Sequence, residues 1–151
     1  WIIAISTIFF GILLGLASKF SSQKRTEHKL TWRDVLVIGS AQAVALIPGT
    51  SRSGITLTAG LFMGLTKQAA ARYSFLLSIP VIILAGGLEG YKLYISDITI
   101  NYAPLLLGFI VAAISGYACI SLFLKLLDRF GVMPFVLYRI LLGTVLLLNG
   151  L

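Results

Sequence analysis

Apolar and polar positions along the chain come in long blocks rather than in residue-by-residue alternation. Trp1 to Ser18 is uncharged throughout; with a few flanking interfacial residues it is long enough to cross a bilayer and predicts a first spanning helix. Lys19 to Asp34 gathers Lys19, Lys24, Arg25, Lys29 and Arg33 against Glu27 and Asp34, the composition of a solvated loop, in which His28 is a loop residue. Within it Thr31-Trp-Arg-Asp34 fits a helix start, with Thr31 as cap and an acidic group near the positive end. Ala69 to Gly90 predicts a second span, bent at Pro80. A short polar turn follows from Lys92 to Tyr102, carrying Asp97 and Asn101, and Ala103 to Leu124 predicts a third span. Pro134, suited to a first helical position, opens a fourth that runs to Leu151. Gly11 and Gly15, four apart in the first span, permit the close approach of another helix.

The segment between the first two spans breaks this pattern. Val35 to Ile47 and Gly54 to Thr66 are both uncharged, yet Pro48-Gly-Thr-Ser-Arg-Ser-Gly54 puts a charge and a cluster of hydroxyls between them. Each 13-residue arm is about 20 Å long as a helix, against a hydrocarbon core of about 30 Å. Neither arm spans alone, so residues 35–66 predict a re-entrant helical hairpin whose tip, residues 48–54, lies inside the membrane. Irregular backbone survives at such depth only when buried in protein or lining a wet cavity. The expected architecture is an all-α integral membrane protein, a helical bundle of about four transmembrane spans and one re-entrant hairpin, forming a single membrane domain over residues 1–151.

Composition supports this and excludes other classes. The chain is 58% hydrophobic and 11% charged with a mean hydropathy of +1.00, whereas soluble domains carry about 25% charged residues. The net charge of +7 does not point to nucleic acid, because the basic residues sit in short loops and form no basic face with interleaved aromatics. They act instead as topology signals. If the hairpin returns to the side it left, Lys19, Lys24, Arg25, Lys29, Arg33, Lys67, Arg72, Lys125, Arg129 and Arg139 share one side and Lys92 alone faces the other. If the segment crosses, the asymmetry vanishes. The positive-inside rule therefore favours re-entry, with residues 19–34 and 125–133 cytoplasmic. Cys119 is the only cysteine, which rules out an intrachain disulfide framework or thiolate cluster and leaves it as a packing residue. Glu89, one turn from the polar end of its span, is an interfacial charge. The chain begins at Trp1 with no basic n-region, so its first run does not read as a signal peptide, and a preceding segment is expected.

The tip carries the candidate chemistry. A guanidinium is permanently charged and presents a planar fork that matches phosphate oxygens. Around Arg52 stand the hydroxyls of Thr50, Ser51, Ser53 and Thr56. A second arm beginning near Ser53 or Gly54 would add free N–H groups and a positive dipole end. Gly49 and Gly54 would let backbone approach a ligand closely. The pattern points to an anion, and an arginine in hydrocarbon marks a functional site by default. The Gly49-x-x-x-x-Gly54 spacing imitates a nucleotide P-loop, but Ile55 stands where lysine should follow and no strand precedes it. Arg139, about 7 Å into the last run at helical rise, either snorkels to the cytoplasmic interface or faces the bundle as a second phosphate-binding cation.

Gln42-Ala-Val-Ala-Leu-Ile-Pro-Gly-Thr-Ser-Arg-Ser-Gly-Ile-Thr56, with Gly60-Leu-Phe-Met-Gly64, Tyr73-Ser-Phe-Leu-Leu-Ser-Ile-Pro80 and Met133-Pro-Phe-Val-Leu-Tyr-Arg139, closely resembles the C-terminal half of the undecaprenyl-diphosphatase family, the bacitracin-resistance lipid phosphatases. The resemblance implies hydrolysis of undecaprenyl diphosphate to the monophosphate, recycling the lipid carrier of cell-wall synthesis in the bacterial plasma membrane. It implies catalytic roles for Arg52, Ser51 and Thr56, and substrate binding by Thr50, Ser53, Gly49, Gly54, Gln42 and Arg139. It also implies one half of an inverted-repeat fold, and partners in the polyprenyl diphosphate lipid and the bilayer. A homodimer with a second copy is left open by the sequence, which does not decide whether the chain dimerises. A divalent cation, Mg or Ca, is expected to offset the diphosphate charge, with ligands outside this sequence. The family's other signature, paired glutamates and a Ser-Ser-Thr-Gly-His run, has no counterpart in these 151 residues. The chain is thus expected to hold half of an active site and to be inactive alone. The alternative function is a transporter or flippase that binds the same headgroup without chemistry.

Overall fold

The computed structural model describes residues 1–96 and 102–150. They form six α-helices: α1 (Ile2–Phe20), α2 (Trp32–Ala43), α3 (Arg52–Phe62), α4 (Lys67–Ile95), α5 (Tyr102–Phe130) and α6 (Met133–Leu148). Short 3-10 turns occupy Glu27–Lys29 and Val44–Leu46. Among the described residues three helices, α1, α4 and α5, are long and apolar enough to cross a membrane. The expected fourth span is shorter: α6 has 16 residues, about 24 Å at helical rise. Both α4 and α5 outrun their apolar blocks, because a helix continues into water for as long as its backbone bonds are made. Helix α4 runs unbroken through Pro80. Of the expected polar turn, residues 97–101 lie outside the described residues, as does residue 151.

The helices pack most closely where small residues let them. Helices α1 and α6 run antiparallel, with Gly15 against Val136, Gly11 against Arg139 and Ile140, and Gly143 against Ile8 and the Ala4 carbonyl. Gly11 and Gly15 therefore do what their spacing suggests. The core lies between α1, α3, the start of α4 and the junction of α5 with α6, and includes Leu14, Leu57, Leu61, Leu65, Ala70, Leu127 and Val136. The outer halves of α4 and α5 carry exposed Ile82, Ile83, Leu84, Leu106, Phe109 and Val111, an apolar surface suited to lipid. Cys119, expected in packing, is exposed on α5, and Glu89 pairs with Lys92 at 2.7 Å on the exposed surface.

Helices α2 and α3 pack on each other, and the two ends of this hairpin are tied together. The Lys24 and Arg25 N–H groups donate to the Gly64 carbonyl, and the Thr66 N–H donates to the Arg25 carbonyl. The Arg25 guanidinium donates to both Asp34 oxygens at 2.9 and 2.6 Å, to the Lys29 carbonyl at 2.6 Å and to the Met63 carbonyl at 3.0 Å. Asp34 in turn accepts from the Thr31 N–H at 2.7 Å and the Thr31 hydroxyl at 2.8 Å, so the expected helix start at Thr31 is formed. One arginine thus joins the start of α2 to the end of α3. Alongside runs α1, with Ser21 at the hairpin base, donating to the Leu61 carbonyl, and Ser6 at its tip. The fifteen residue steps from Ser6 to Ser21 measure about 22 Å at helical rise, which is the depth of the hairpin.

Arg25, followed by the Thr31 donors, holds the buried Asp34 carboxyl at about 2, against an ordinary value of 3.8. A carboxyl with a lowered folded pKa stabilises the fold fully above its unfolded value and loses that contribution as pH falls through the folded one. The unfolding midpoint of the full-length protein is therefore expected to be flat above about pH 5 and to fall between about pH 4 and 2. Asp34→Asn should lower the unfolding midpoint at neutral pH, because Arg25 loses its counter-charge while keeping its bonds to the Lys29 and Met63 carbonyls, and should flatten that acid fall. Thermal unfolding of both proteins across this range checks it.

Candidate functional site

The hairpin tip is built by Pro48, Gly49 and Ser51. Pro48 biases Ile47 to an extended backbone, at φ −72° and ψ 121°, which ends the first arm. Gly49 has φ +88° and Ser51 φ +64°; left-handed geometry is uncommon for serine and often accompanies functional loops. The Ser51 hydroxyl caps α3 by accepting the Gly54 N–H at 3.3 Å and lies 3.4 Å from the Ser53 hydroxyl. Helix α3 accordingly begins at Arg52, one residue before Ser53 and two before Gly54, where the second arm was expected to start. The backbone N–H groups of Ser51, Arg52 and Ser53 have no partner among the described residues, so the helix presents free donors and its positive end at the tip.

Arg139 faces the bundle. Its side chain is buried and runs along α1 from Gly11 to the tip, away from the start of α6. Nη2 donates to the Gly49 and Thr50 carbonyls at 2.9 and 2.8 Å, and Nε to the Thr7 carbonyl at 3.4 Å. Nη1 has no partner and lies 2.6 Å from where a Cβ on Gly54 would be. Arg139 therefore does not snorkel. Arg139 also lines a groove of about 410 Å³ whose polar lining is Thr7, Gly49, Ser51, Ser53, Gly54 and Arg139 itself. The rest of the wall is apolar and aromatic, with Leu14, Leu57, Leu142, Tyr138, Phe123 and Phe135.

The other expected residues are placed differently. Arg52 stands on the first turn of α3, half-buried and outside the groove lining, with Nη1 buried and unpaired. Thr50 is fully buried beneath the tip, and its hydroxyl has no partner. Gln42, near the end of α2, has an unpaired buried Oε1. Thr56 faces away from the groove: its hydroxyl donates to the Arg52 carbonyl at 2.9 Å and shares a 2.7 Å bond with Ser74 of α4. Thr56 thus buttresses the start of α3 rather than reaching the groove.

Unpaired buried polar atoms are rare in folded proteins because each costs about 1–3 kcal/mol. Among the described residues four such side-chain atoms occur, Gln42 Oε1, Thr50 Oγ1, Arg52 Nη1 and Arg139 Nη1. All four belong to the hairpin or to the arginine that grips it. Charge, free donors and unmet hydrogen-bonding capacity therefore concentrate at one place, and the two guanidinium groups and the helix end favour an anion there. No group of three or more His, Cys, Asp or Glu comes together among the described residues. The tip offers donors and positive charge, chemistry unfit to hold a divalent cation by itself.

Two contributors carry no motif. Ser6 and Thr7 of α1 reach the tip: the Ser6 hydroxyl donates to the Pro48 carbonyl at 2.5 Å and the Thr7 hydroxyl to the Gly49 carbonyl at 3.2 Å. Their one sequence signal is a pair of adjacent hydroxyls in an otherwise apolar stretch.

A family model described as "Bacitracin resistance protein BacA" matches residues 1–145. The chain is 57% identical over 145 residues to "Undecaprenyl-diphosphatase" of Nitrosococcus oceani, covering 96% of this chain and 55% of that protein. It is 54% identical over 149 residues to "Undecaprenyl-diphosphatase 2" of Stutzerimonas stutzeri and 55% identical over 147 residues to "Undecaprenyl-diphosphatase" of Aliivibrio salmonicida. These last two alignments each cover 97% of this chain and 55% of the relative. The chain therefore spans about half the length of the relatives it matches.

Proposed function

The chain belongs to the BacA bacitracin resistance family, and on that premise we propose that it supplies the phosphate-gripping half of an undecaprenyl-diphosphate phosphatase in the bacterial plasma membrane. The observation that carries this reading is the concentration of unpaired buried donors at one hairpin tip, on Thr50, Arg52 and Arg139, beside a groove with an apolar wall. A polyprenyl diphosphate has the matching halves, an anionic head and an apolar tail.

In this mechanism the diphosphate head lies against the N-terminus of α3. Arg139 Nη1, the Ser51 and Ser53 hydroxyls and the free N–H groups of Ser51 to Ser53 hold its oxygens, and Arg52 adds a second positive charge across the tip. Thr50, Gly49, Gly54 and Gln42 shape the loop, and Thr56 fixes the first turn of α3. Phosphoryl transfer is governed by positioning and by neutralising charge on the phosphoryl oxygens, and these residues are suited to both tasks. The nucleophile, the proton-transfer groups and any metal ligands belong to the part of the protein outside this chain. The hairpin is read as re-entrant: its base is clasped by Arg25 and its depth, about 22 Å by helical rise, is less than the bilayer core of about 30 Å.

A transporter that binds the same head without chemistry is the competing reading, since the side chains that give the groove its polar lining among the described residues, Thr7, Ser51, Ser53 and Arg139, suit binding of an anion as well as its hydrolysis. The full-length protein in proteoliposomes separates the two. Hydrolysis predicts inorganic phosphate released in step with loss of undecaprenyl diphosphate. Movement of intact lipid between leaflets without phosphate release would overturn the diphosphatase reading.

A further inference from the structure

We infer that Ser6 of α1 is a positioning residue for the anion site, acting through the tip carbonyls rather than on the ligand; the inference rests on the diphosphate reading of that site. An anion site tolerates N–H groups and cations, but carbonyl lone pairs facing the ligand would repel it. At this tip three consecutive carbonyls are each taken by a donor from a neighbouring helix. Pro48 is held by Ser6 at 2.5 Å, and Gly49 by Arg139 at 2.9 Å and Thr7 at 3.2 Å. Thr50 is held by Arg139 at 2.8 Å.

Ser6 has a single proton to donate, and its shortest acceptor is Pro48, ahead of the Ile2 carbonyl at 2.7 Å and the Ile3 carbonyl at 3.1 Å. Thr7, by contrast, lies closer to its own helix, 2.6 Å from the Ile3 carbonyl. Ser6 is therefore the α1 residue that fixes the tip. The Ser6–Pro48 contact sets the peptide plane immediately before Gly49, whose Cα hydrogens face Ser6 and the Ile3 backbone with no room for a side chain. Without that bond, the Pro48 carbonyl loses its partner and the plane is free to rotate.

The test uses the full-length enzyme and inorganic pyrophosphate as a competitive probe of the head site. Ser6→Ala is expected to raise the pyrophosphate inhibition constant about tenfold, the worth of one short hydrogen bond, with an unchanged thermal midpoint, because Pro48 is exposed and water can take its carbonyl once the serine is gone. Ser6→Thr, which keeps the hydroxyl, should stay within about threefold of wild type. An alanine variant that binds pyrophosphate as tightly as wild type, or loses its thermal midpoint together with its affinity, overturns the inference. So does a threonine variant as weak as alanine. A wild-type protein that binds pyrophosphate but releases no phosphate from the lipid overturns the diphosphatase reading and leaves the role of Ser6 standing.

Discussion

Gly49→Ala in the full-length protein is expected to lower kcat/KM by more than about a hundredfold, the equivalent of about 3 kcal/mol. Two costs combine. The backbone at Gly49 has φ +88°, a region that costs an L-residue about 1–2 kcal/mol. The new Cβ would also lie 2.5 Å from the Ile3 carbonyl oxygen and 3.0 Å from Ile3 Cα, and closer still to the Ser6 hydroxyl. Two of those atoms are helix backbone and cannot swing aside, so the tip must lift from α1. Lifting breaks the Ser6 bond to Pro48 and the Arg139 bonds to Gly49 and Thr50, which moves every proposed phosphate donor together. Phosphate release from undecaprenyl diphosphate measures the loss. Activity within about threefold of wild type, under 1 kcal/mol, would mean that the tip is not held against α1 during turnover.

The second large effect is expected at Arg139. Lysine keeps the charge but replaces a fork of five donors with one ammonium. In the structure one guanidinium nitrogen holds two carbonyls while the other remains free, a division of labour that a single ammonium cannot copy. Arg139→Lys should therefore lose about 2 to 4 kcal/mol of transition-state stabilisation, by analogy with removal of an oxyanion-hole donor, or about thirty-fold to a thousand-fold in kcat/KM. Arg139→Ala should also impair folding, because the Thr50 carbonyl loses its donor. Equal phosphate release by the lysine variant would reduce Arg139 to a structural charge.

How much of this was legible in the sequence depended on the range of the interaction involved. The apolar blocks gave α1, α4 and α5, since burial in lipid is recorded residue by residue in hydropathy. They underestimated α4 and α5, whose ends at Ile95 and Phe130 are set by backbone bonding and by Gly131 at φ +68°. The tip was legible because Pro48, Gly49 and Arg52 each break a rule of their surroundings. Its clasp was not: Arg25 and Asp34 look like ordinary loop charges until folding brings Met63 beside them. Arg139 could not be decided from depth alone, because its direction is fixed by a partner far along the chain. Gly11 leaves the space against α1, and the guanidinium follows it to the tip. Thr56 shows the opposite limit, since a hydroxyl one turn from Arg52 shares its motif but faces Ser74.

Protection of a thiol at position 53 tests the central claim most directly. Ser53 is exposed and lines the groove, so Ser53→Cys, placed in full-length protein with Cys119 and any other cysteine replaced by serine, reports on occupancy of the tip. A non-hydrolysable polyprenyl diphosphonate at about ten times its Kd should slow labelling by a small water-soluble thiol reagent about tenfold, as simple occupancy requires. The corresponding lipid without phosphates should leave the rate unchanged. Equal labelling with and without bound diphosphonate would put the headgroup elsewhere and contradict the assignment of the hairpin tip as the phosphate site.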